Sequence, residues 1–151
     1  YKGIVGGKQF FESPQCGISS TQSQTITKAI CIADQDETLR AINQAQKRFG
    51  PYASIFVGTD HNDYQAEIKA GVGNAVQVVR GDSPTLDLYV FAQADLFIGN
   101  CVSSFSALAV RERRAKGLPS VFLGFDEWTE KNAYIGSSIG FDEINKAKKP
   151  N

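Results

Sequence analysis

Methionine is absent from the 151 residues, histidine and tryptophan occur once each, and cysteine occurs three times. With His61 as the sole histidine and no Cys-x-x-Cys pair, the sequence offers no zinc-ligand spacing. Neither sign of charge dominates, since 16 Lys and Arg stand against 16 Asp and Glu. The basic cluster Arg111 to Lys116 is itself broken by Glu112, so there is no electrostatic footprint for nucleic acid. No apolar run approaches the roughly 20 residues of a membrane span, and no charged-then-apolar leader opens the chain. A start at Tyr1 without any methionine reads as a fragment or processed product. A hydrophobic content of 42% against 21% charged residues suits one compact domain with its own core.

Several signatures of chemistry are missing as well. No Gly-x-Gly-x-x-Gly follows the first strand, and Gly71-x-Gly73 lies between a helix and a strand, where it reads as a turn. There is no Gly-Lys-Ser/Thr phosphate loop and no Gly-x-Ser-x-Gly elbow. His61 beside Asp60 reads as a surface or capping residue rather than a base. Asp60, Asp87 and Asp95 all have readings as caps or turn residues, so no carboxylate pair for glycoside hydrolysis can be assigned.

What is present is an alternation of strands and helices. Residues 1 to 25, rich in Gly, Ser, Thr and Gln, read as a loop-rich lead-in. Thr25 to Ala33 reads as a strand. Asp34, three residues before Glu37, has the pattern of a capping box, and Leu39, Ile42 and Phe49 line one face of the helix that Gly50-Pro51 ends. Ser54 to Gly58 reads as a buried parallel strand with Thr59-Asp60 at its carboxyl end. A helix from Asn62 to Ala70, with Tyr64 and Ile68 inward, leads to a strand over Ala75 to Val79. Asp87 to Ala94 reads as a helix on which Leu86, Tyr89 and Val90 share a face. Leu96 to Gly99, a helix from Ser103 to Gly117, and Ser120 to Phe125 complete the series. The fold class is α/β, a Rossmann-like parallel sheet with helices on both faces. The domain spans 26–126, and the tail, 127–151, has no structural assignment.

In such a sheet a ligand lies outside the carboxyl ends of the strands. Thr59-Asp60, the loop into Asp87, and Asn100 to Phe105 all fall there. The last is the centre of the sequence: a short strand, a tight turn at Gly99-Asn100, and a helix entered at Ser103. The first amides of that helix lack intrahelical partners, and Ser103 and Ser104 add hydroxyls in front of the positive end of its dipole. Either these groups hold an anion or a serine merely caps the helix. Three cysteines, Cys16, Cys31 and Cys101, are an odd number. In an oxidising compartment two pair and one seeks a partner elsewhere; in the cytosol all three remain reduced.

The stretch Gln-Ala-Asp-Leu-Phe-Ile-Gly-Asn-Cys-Val-Ser-Ser-Phe, ending at Phe105 and followed by Val110-Arg111-Glu112-Arg113, resembles the nucleotide-sugar-binding segment of the GDP-fucose protein O-fucosyltransferases. The resemblance extends to Ser13-Pro14-Gln15-Cys16, to Val57-Gly58-Thr59-Asp60 with Tyr64 and Glu67, and to Asp87-Leu88-Tyr89, covering roughly positions 3 to 126. It implies the carboxyl-terminal half of a two-domain, GT-B-type glycosyltransferase that inverts, needs no metal or other cofactor, and moves fucose from GDP-fucose to Ser or Thr hydroxyls of EGF-like repeats. By the same resemblance Asp87 contacts the nucleotide, Ser103, Ser104 and Phe105 hold the pyrophosphate, and Cys16 pairs with Cys101, while Cys31 bonds a cysteine upstream of Tyr1. The family's arginine that supports the departing GDP has no counterpart here, so no catalytic residue is assigned to this chain. The lumen of the endoplasmic reticulum is implied as the location, although no retrieval tetrapeptide follows Gly124-Phe125-Asp126. Lys148-Lys149 near the end fits a dilysine pattern only by coincidence. Two other functions fit the same residues: a GDP-sugar-binding, lectin-like module without chemistry, and a different nucleotide-sugar transferase.

Overall fold

The computed structural model describes residues 34–51, 54–59, 63–73, 76–126, 128 and 133–134. Helix α1 (Gln35–Phe49) starts where Asp34, in extended conformation, accepts the Glu37 amide on its carboxylate at 3.0 Å. Asp36 and Glu37 in the first turn and Lys47 and Arg48 in the last oppose the helix dipole. Gly50 stops it with φ 92°, a backbone that disfavours any residue with a Cβ, while its N–H donates to the Gln46 carbonyl. Half of the expected capping box forms. The Glu37 carboxylate is drawn elsewhere, accepting from Nε and Nη2 on one edge of the Arg40 guanidinium at 2.8 Å and from the Gly124 amide at 2.7 Å.

Two strand–helix–strand units follow. Strand β1 (Ser54–Val57), helix α2 (Tyr64–Val72) and strand β2 (Gln77–Arg80) form the first, with the strands parallel in register from Ser54 opposite Gln77 to Val57 opposite Arg80. Strand β3 (Phe97–Gly99), helix α4 (Ser104–Ala115) and strand β4 (Ser120–Phe122) form the second, also parallel, with Phe97 opposite Ser120. Helix α3 (Pro84–Gln93) connects them, and strand β5 (Ala133–Tyr134) adds antiparallel to β4. Among the described residues the strands hydrogen-bond as two sheets, β1-β2 and β3-β4-β5. The strand expected over Thr25 to Ala33 lies outside the described residues, as does the Phe49 side chain. Parallel strands joined through helices are the α/β arrangement expected from the alternation.

Each unit packs its own apolar cluster. Ile42 of α1, Ile68 of α2 and Val78 of β2 form one, with Leu39, Ile55 and Val57 against it. Ala41 and Ala45 of α1, Phe97, Val110, Val121, Phe122 and Trp128 form the larger one. Full burial of such large side chains contributes roughly 1.5 to 3 kcal/mol each. The packed unit runs on past residue 126: Trp128 is 3% exposed and its indole N–H donates to the Phe122 carbonyl at 2.8 Å. Helix α1 clasps this segment further, because Arg40 donates to Phe125 O, Gln44 to Asp126 O and Arg48 to Trp128 O. Strand β4 is shorter than expected, ending at Phe122 before a turn whose Gly124 has φ 85°.

Helix α3 departs most from its sequence pattern. It begins three residues early, at Pro84 in the first turn behind Ser83, a position where the missing N–H costs nothing. Its expected apolar face is turned outward, with Leu86 52% and Tyr89 64% exposed. The buried residues are Asp87 and Ala92, and Leu88 and Phe91 pack on the core.

Candidate functional site

The inward face of α3 carries Asp87 and, one turn on, Phe91. Both meet a glycine at a strand end. At Gly58, just past β1, a Cβ would fall 2.5 Å from Phe91 Cζ and 3.2 Å from Asp87 Oδ2. At Gly81, just past β2, a Cβ would overlap Asp87 Oδ1 and Cγ and lie 2.5 Å from Oδ2. The Gly81 amide donates to Val57 O at 2.9 Å, tying the two strand ends together beneath the carboxylate. Asp87 is 8% exposed, and its Oδ1 is buried without a hydrogen-bond partner among the described residues.

The second half of the site is the turn from β3 into α4. Asn100 organises it: its amide donates to Ser106 Oγ at 3.1 Å, and its side-chain oxygen accepts the Val102 amide at 3.0 Å. Ser103 is the N-cap, accepting the Ser106 amide on Oγ and the Ala107 amide on its carbonyl. The capping reading of Ser103 therefore holds for its oxygen, while its O–H proton is left to donate. The amides of Ser104 and Phe105 meet no acceptor among the described residues, and the Ser104 side chain is exposed. They stand at the positive end of a 12-residue helix.

Phe105 joins the halves. Its ring meets Phe91 edge-on at a centroid distance of 6.2 Å, and Phe91 also contacts Phe56 and Phe97. Asp87 and the Ser103–Phe105 segment, expected at the carboxyl ends of different strands, are thus brought to one edge through a single aromatic contact. Thr59 lies at the same edge, whereas Asp60 and His61 fall outside the described residues. Cys101, 2% exposed in the turn, is disulfide-bonded. The expected pairing with Cys16 falls outside the described residues, as does Cys31.

Two residues escaped sequence reasoning. Ser106 braces the Gly99-Asn100 turn from inside the helix; the signal was its spacing of three from the cap. Arg113, which reads as one charge in a basic cluster, is fully buried. Its guanidinium donates to Phe91 O and Ala94 O at 2.6 and 2.7 Å, to Asp95 O, to Pro119 O, and to Ser120 Oγ. Burial lowers its pKa to about 10, partly opposed by Asp95, so it is a cation at neutral pH. It ties the last turn of α3 to α4 and to the entry of β4.

No group of three His, Cys, Asp or Glu side chains among the described residues is placed to hold a metal ion. Nor is any described helix long and apolar enough to cross a membrane. The arrangement is a donor–acceptor split: a carboxylate at one end of the edge and unpaired amides with hydroxyls at the other. That suits a ligand with donors at one end and an anionic group at the other.

The family model described as O-FucT, GDP-fucose protein O-fucosyltransferase, matches residues 3–116. GDP-fucose protein O-fucosyltransferase 1 of Caenorhabditis elegans is 32% identical over 124 residues, which are 78% of this chain and 31% of that protein. Among solved structures, POFUT1 in complex with GDP is similar with a TM-score of 0.65 and 34% identity, over 75% of this chain and 33% of its own. POFUT1 in complex with GDP-fucose is similar with a TM-score of 0.66 and 33% identity, over 75% of this chain and 34% of its own. The chain spans about a third of the length of these relatives.

Proposed function

The chain belongs to the GDP-fucose protein O-fucosyltransferase family, and we propose that it supplies the GDP-fucose-binding half of a two-domain enzyme that transfers fucose to Ser or Thr hydroxyls of EGF-like repeats. The observation that carries this reading is the buried Oδ1 of Asp87 at the ends of β1 and β2, unpartnered among the described residues. A carboxylate left dry is costly unless donors are supplied to it. Guanine offers two on one edge, N1–H and the 2-amino group, and Asp87 accepts both. Ser104, the Ser103 hydroxyl and the Phe105 amide take the pyrophosphate at the α4 entrance. That solved relatives hold GDP and GDP-fucose supports the assignment.

In the reaction this half binds and orients. The pyrophosphate gathers charge as fucose departs, and amides fixed by the Asn100 and Ser103 bonds meet it without reorganising. Inversion at the sugar carbon, independence from metal, and an arginine supplied from outside these residues complete the proposed mechanism. Pairing of Cys16 with Cys101 and residence in the endoplasmic reticulum lumen, an oxidising compartment, belong to the same proposal.

Calorimetry with GDP and UDP on the parent and on Asp87→Ala tests it. The parent prefers GDP. The variant leaves two guanine donors unpaired at about 1 to 3 kcal/mol each, so GDP binding weakens at least about tenfold. Equal GDP affinity in the two proteins removes Asp87 from the site.

A further inference from the structure

Gly81 stands at the carboxyl end of β2 without a positive φ; among the described residues the glycines in that region are Gly50, Gly73, Gly117 and Gly124. Its backbone is one that any residue adopts, so conformation does not call for glycine there. Space does. An added Cβ would overlap the Asp87 carboxyl carbon and Oδ1, whereas the neighbouring backbone is not among its nearest atoms. What such a methyl would displace is therefore the far end of one short side chain, and the β1–β2 bond from Gly81 N to Val57 O at 2.9 Å would survive. Gly58 bounds the carboxylate from the other side, with its Cβ direction 3.2 Å from Oδ2. The acid is thus seated over a gap in side-chain density, 8% exposed, with one oxygen that finds no partner among the described residues.

We propose that Gly81 is a specificity-determining position of the nucleotide site: by lacking a Cβ it lets the Asp87 carboxylate lie over the end of β2 in the orientation that selects a purine carrying adjacent N–H donors. This rests on the reading of Asp87 as the base-recognising residue. Gly81 touches no ligand itself; it acts through Asp87. The base choice of the site is then set by the absence of a side chain on β2 as much as by the presence of an acid on α3. A bidentate acceptor needs both oxygens in the plane of the donors, and rotating the carboxyl group by a Cβ clash breaks that alignment.

A double-mutant cycle on Gly81→Ala and Asp87→Ala, read as calorimetric affinity for GDP, ADP and UDP, tests this, with melting temperature and circular dichroism as the check on folding. Gly81→Ala alone is expected to weaken GDP about tenfold while leaving ADP and UDP within about twofold, so that base preference collapses. In the Asp87→Ala background the same substitution is expected to change GDP affinity by less than about twofold, because the group it acts through is gone. Parent-like GDP preference in Gly81→Ala overturns the proposal, and so does an equal loss in both backgrounds. If Asp87→Ala alone binds GDP like the parent, the base-recognition reading itself fails, an outcome the cycle distinguishes from failure of the glycine argument. Asp87→Glu approaches the same fit from the other side should Gly81→Ala not fold. The extra methylene cannot be seated over Gly81, and GDP affinity falls as it does in Asp87→Ala; retention of parent affinity overturns the proposal.

Discussion

Replacing Arg113 by lysine keeps the charge and most of the length but removes the fork. The guanidinium now reaches five acceptors: the carbonyls of Phe91, Ala94, Asp95 and Pro119 and the Ser120 hydroxyl. An ammonium has three donors on one atom and satisfies three acceptors at best. At least two buried acceptors are left dry at roughly 1 to 3 kcal/mol each, a loss of about 2 to 6 kcal/mol. The parent already bears a cost for burying this charge. Burial holds its pKa down to about 10, the sign of a desolvation cost that is offset only while all the bonds are made. Against a total stability of about 5 to 15 kcal/mol for a domain of this size, the substitution removes a large share.

Trp128, the single tryptophan and 3% exposed, reports the transition by fluorescence during urea unfolding. The expected result is a lower midpoint with an unchanged slope, since the same surface is exposed. A change below about 0.5 kcal/mol, the range of an ordinary surface substitution, would refute the assignment of Arg113 as the tie between α3 and α4. Alkaline pH offers no rescue. With its folded pKa of about 10 below the unfolded one, Arg113 makes stability rise with pH only above about pH 10, well above working conditions.

Tyr64 has the opposite sign: burial, the first cause, raises its pKa above 10.0, so its contribution is complete below pH 10 and is lost as pH rises through the folded value. Tyr64→Phe is expected to lose about 1 kcal/mol with the Thr38 hydroxyl contact and to flatten that alkaline decline; an equally steep decline in the variant sinks the attribution. The proposed Cys16–Cys101 pairing predicts one free thiol, Cys31, in denaturant without reductant, and a reduction penalty on the order of 4 kcal/mol. A tryptic peptide joining Cys31 to Cys101 would reassign the bond.

Local patterns were legible where the interaction is local. The Asp34 and Ser103 caps, the glycine stop after Phe49 and the strand–helix order are all written within a few residues of where they act. Patterns failed where a distant group wins. Glu37 has the spacing to close a capping box, but the Arg40 fork and the Gly124 amide take both oxygens. Arg113 looks like a solvated charge because its acceptors come from α3 and from the loop before β4, which no helical periodicity reveals. On α3, counting apolar residues selected Leu86 and Tyr89, yet the helix buries the face that carries Asp87. A periodicity argument assumes that the buried stripe is apolar, and it inverts where the stripe is built around a polar residue.

The buried polar residues themselves separate structure from function. Among the described residues four are buried: Asp87, Ser106, Arg113 and Ser120. Ser106 accepts the Asn100 amide, and Ser120 and the backbone around it accept from Arg113, so three of the four are answered within the fold. These three hold α4 by its two ends, at the Gly99-Asn100 turn and at the last turn of α3. Asp87 has an oxygen that nothing among those residues answers. It lies on the helix that Arg113 fastens, one turn before the Phe91 ring on which Phe105 rests. Folding energy alone does not retain an acid there, since an apolar residue on that face would remove the desolvation cost. An acid kept dry on a helix that Arg113 ties fits the nucleotide site proposed above: the fold bears the cost of the carboxylate, and the proposed nucleotide supplies the donors on arrival.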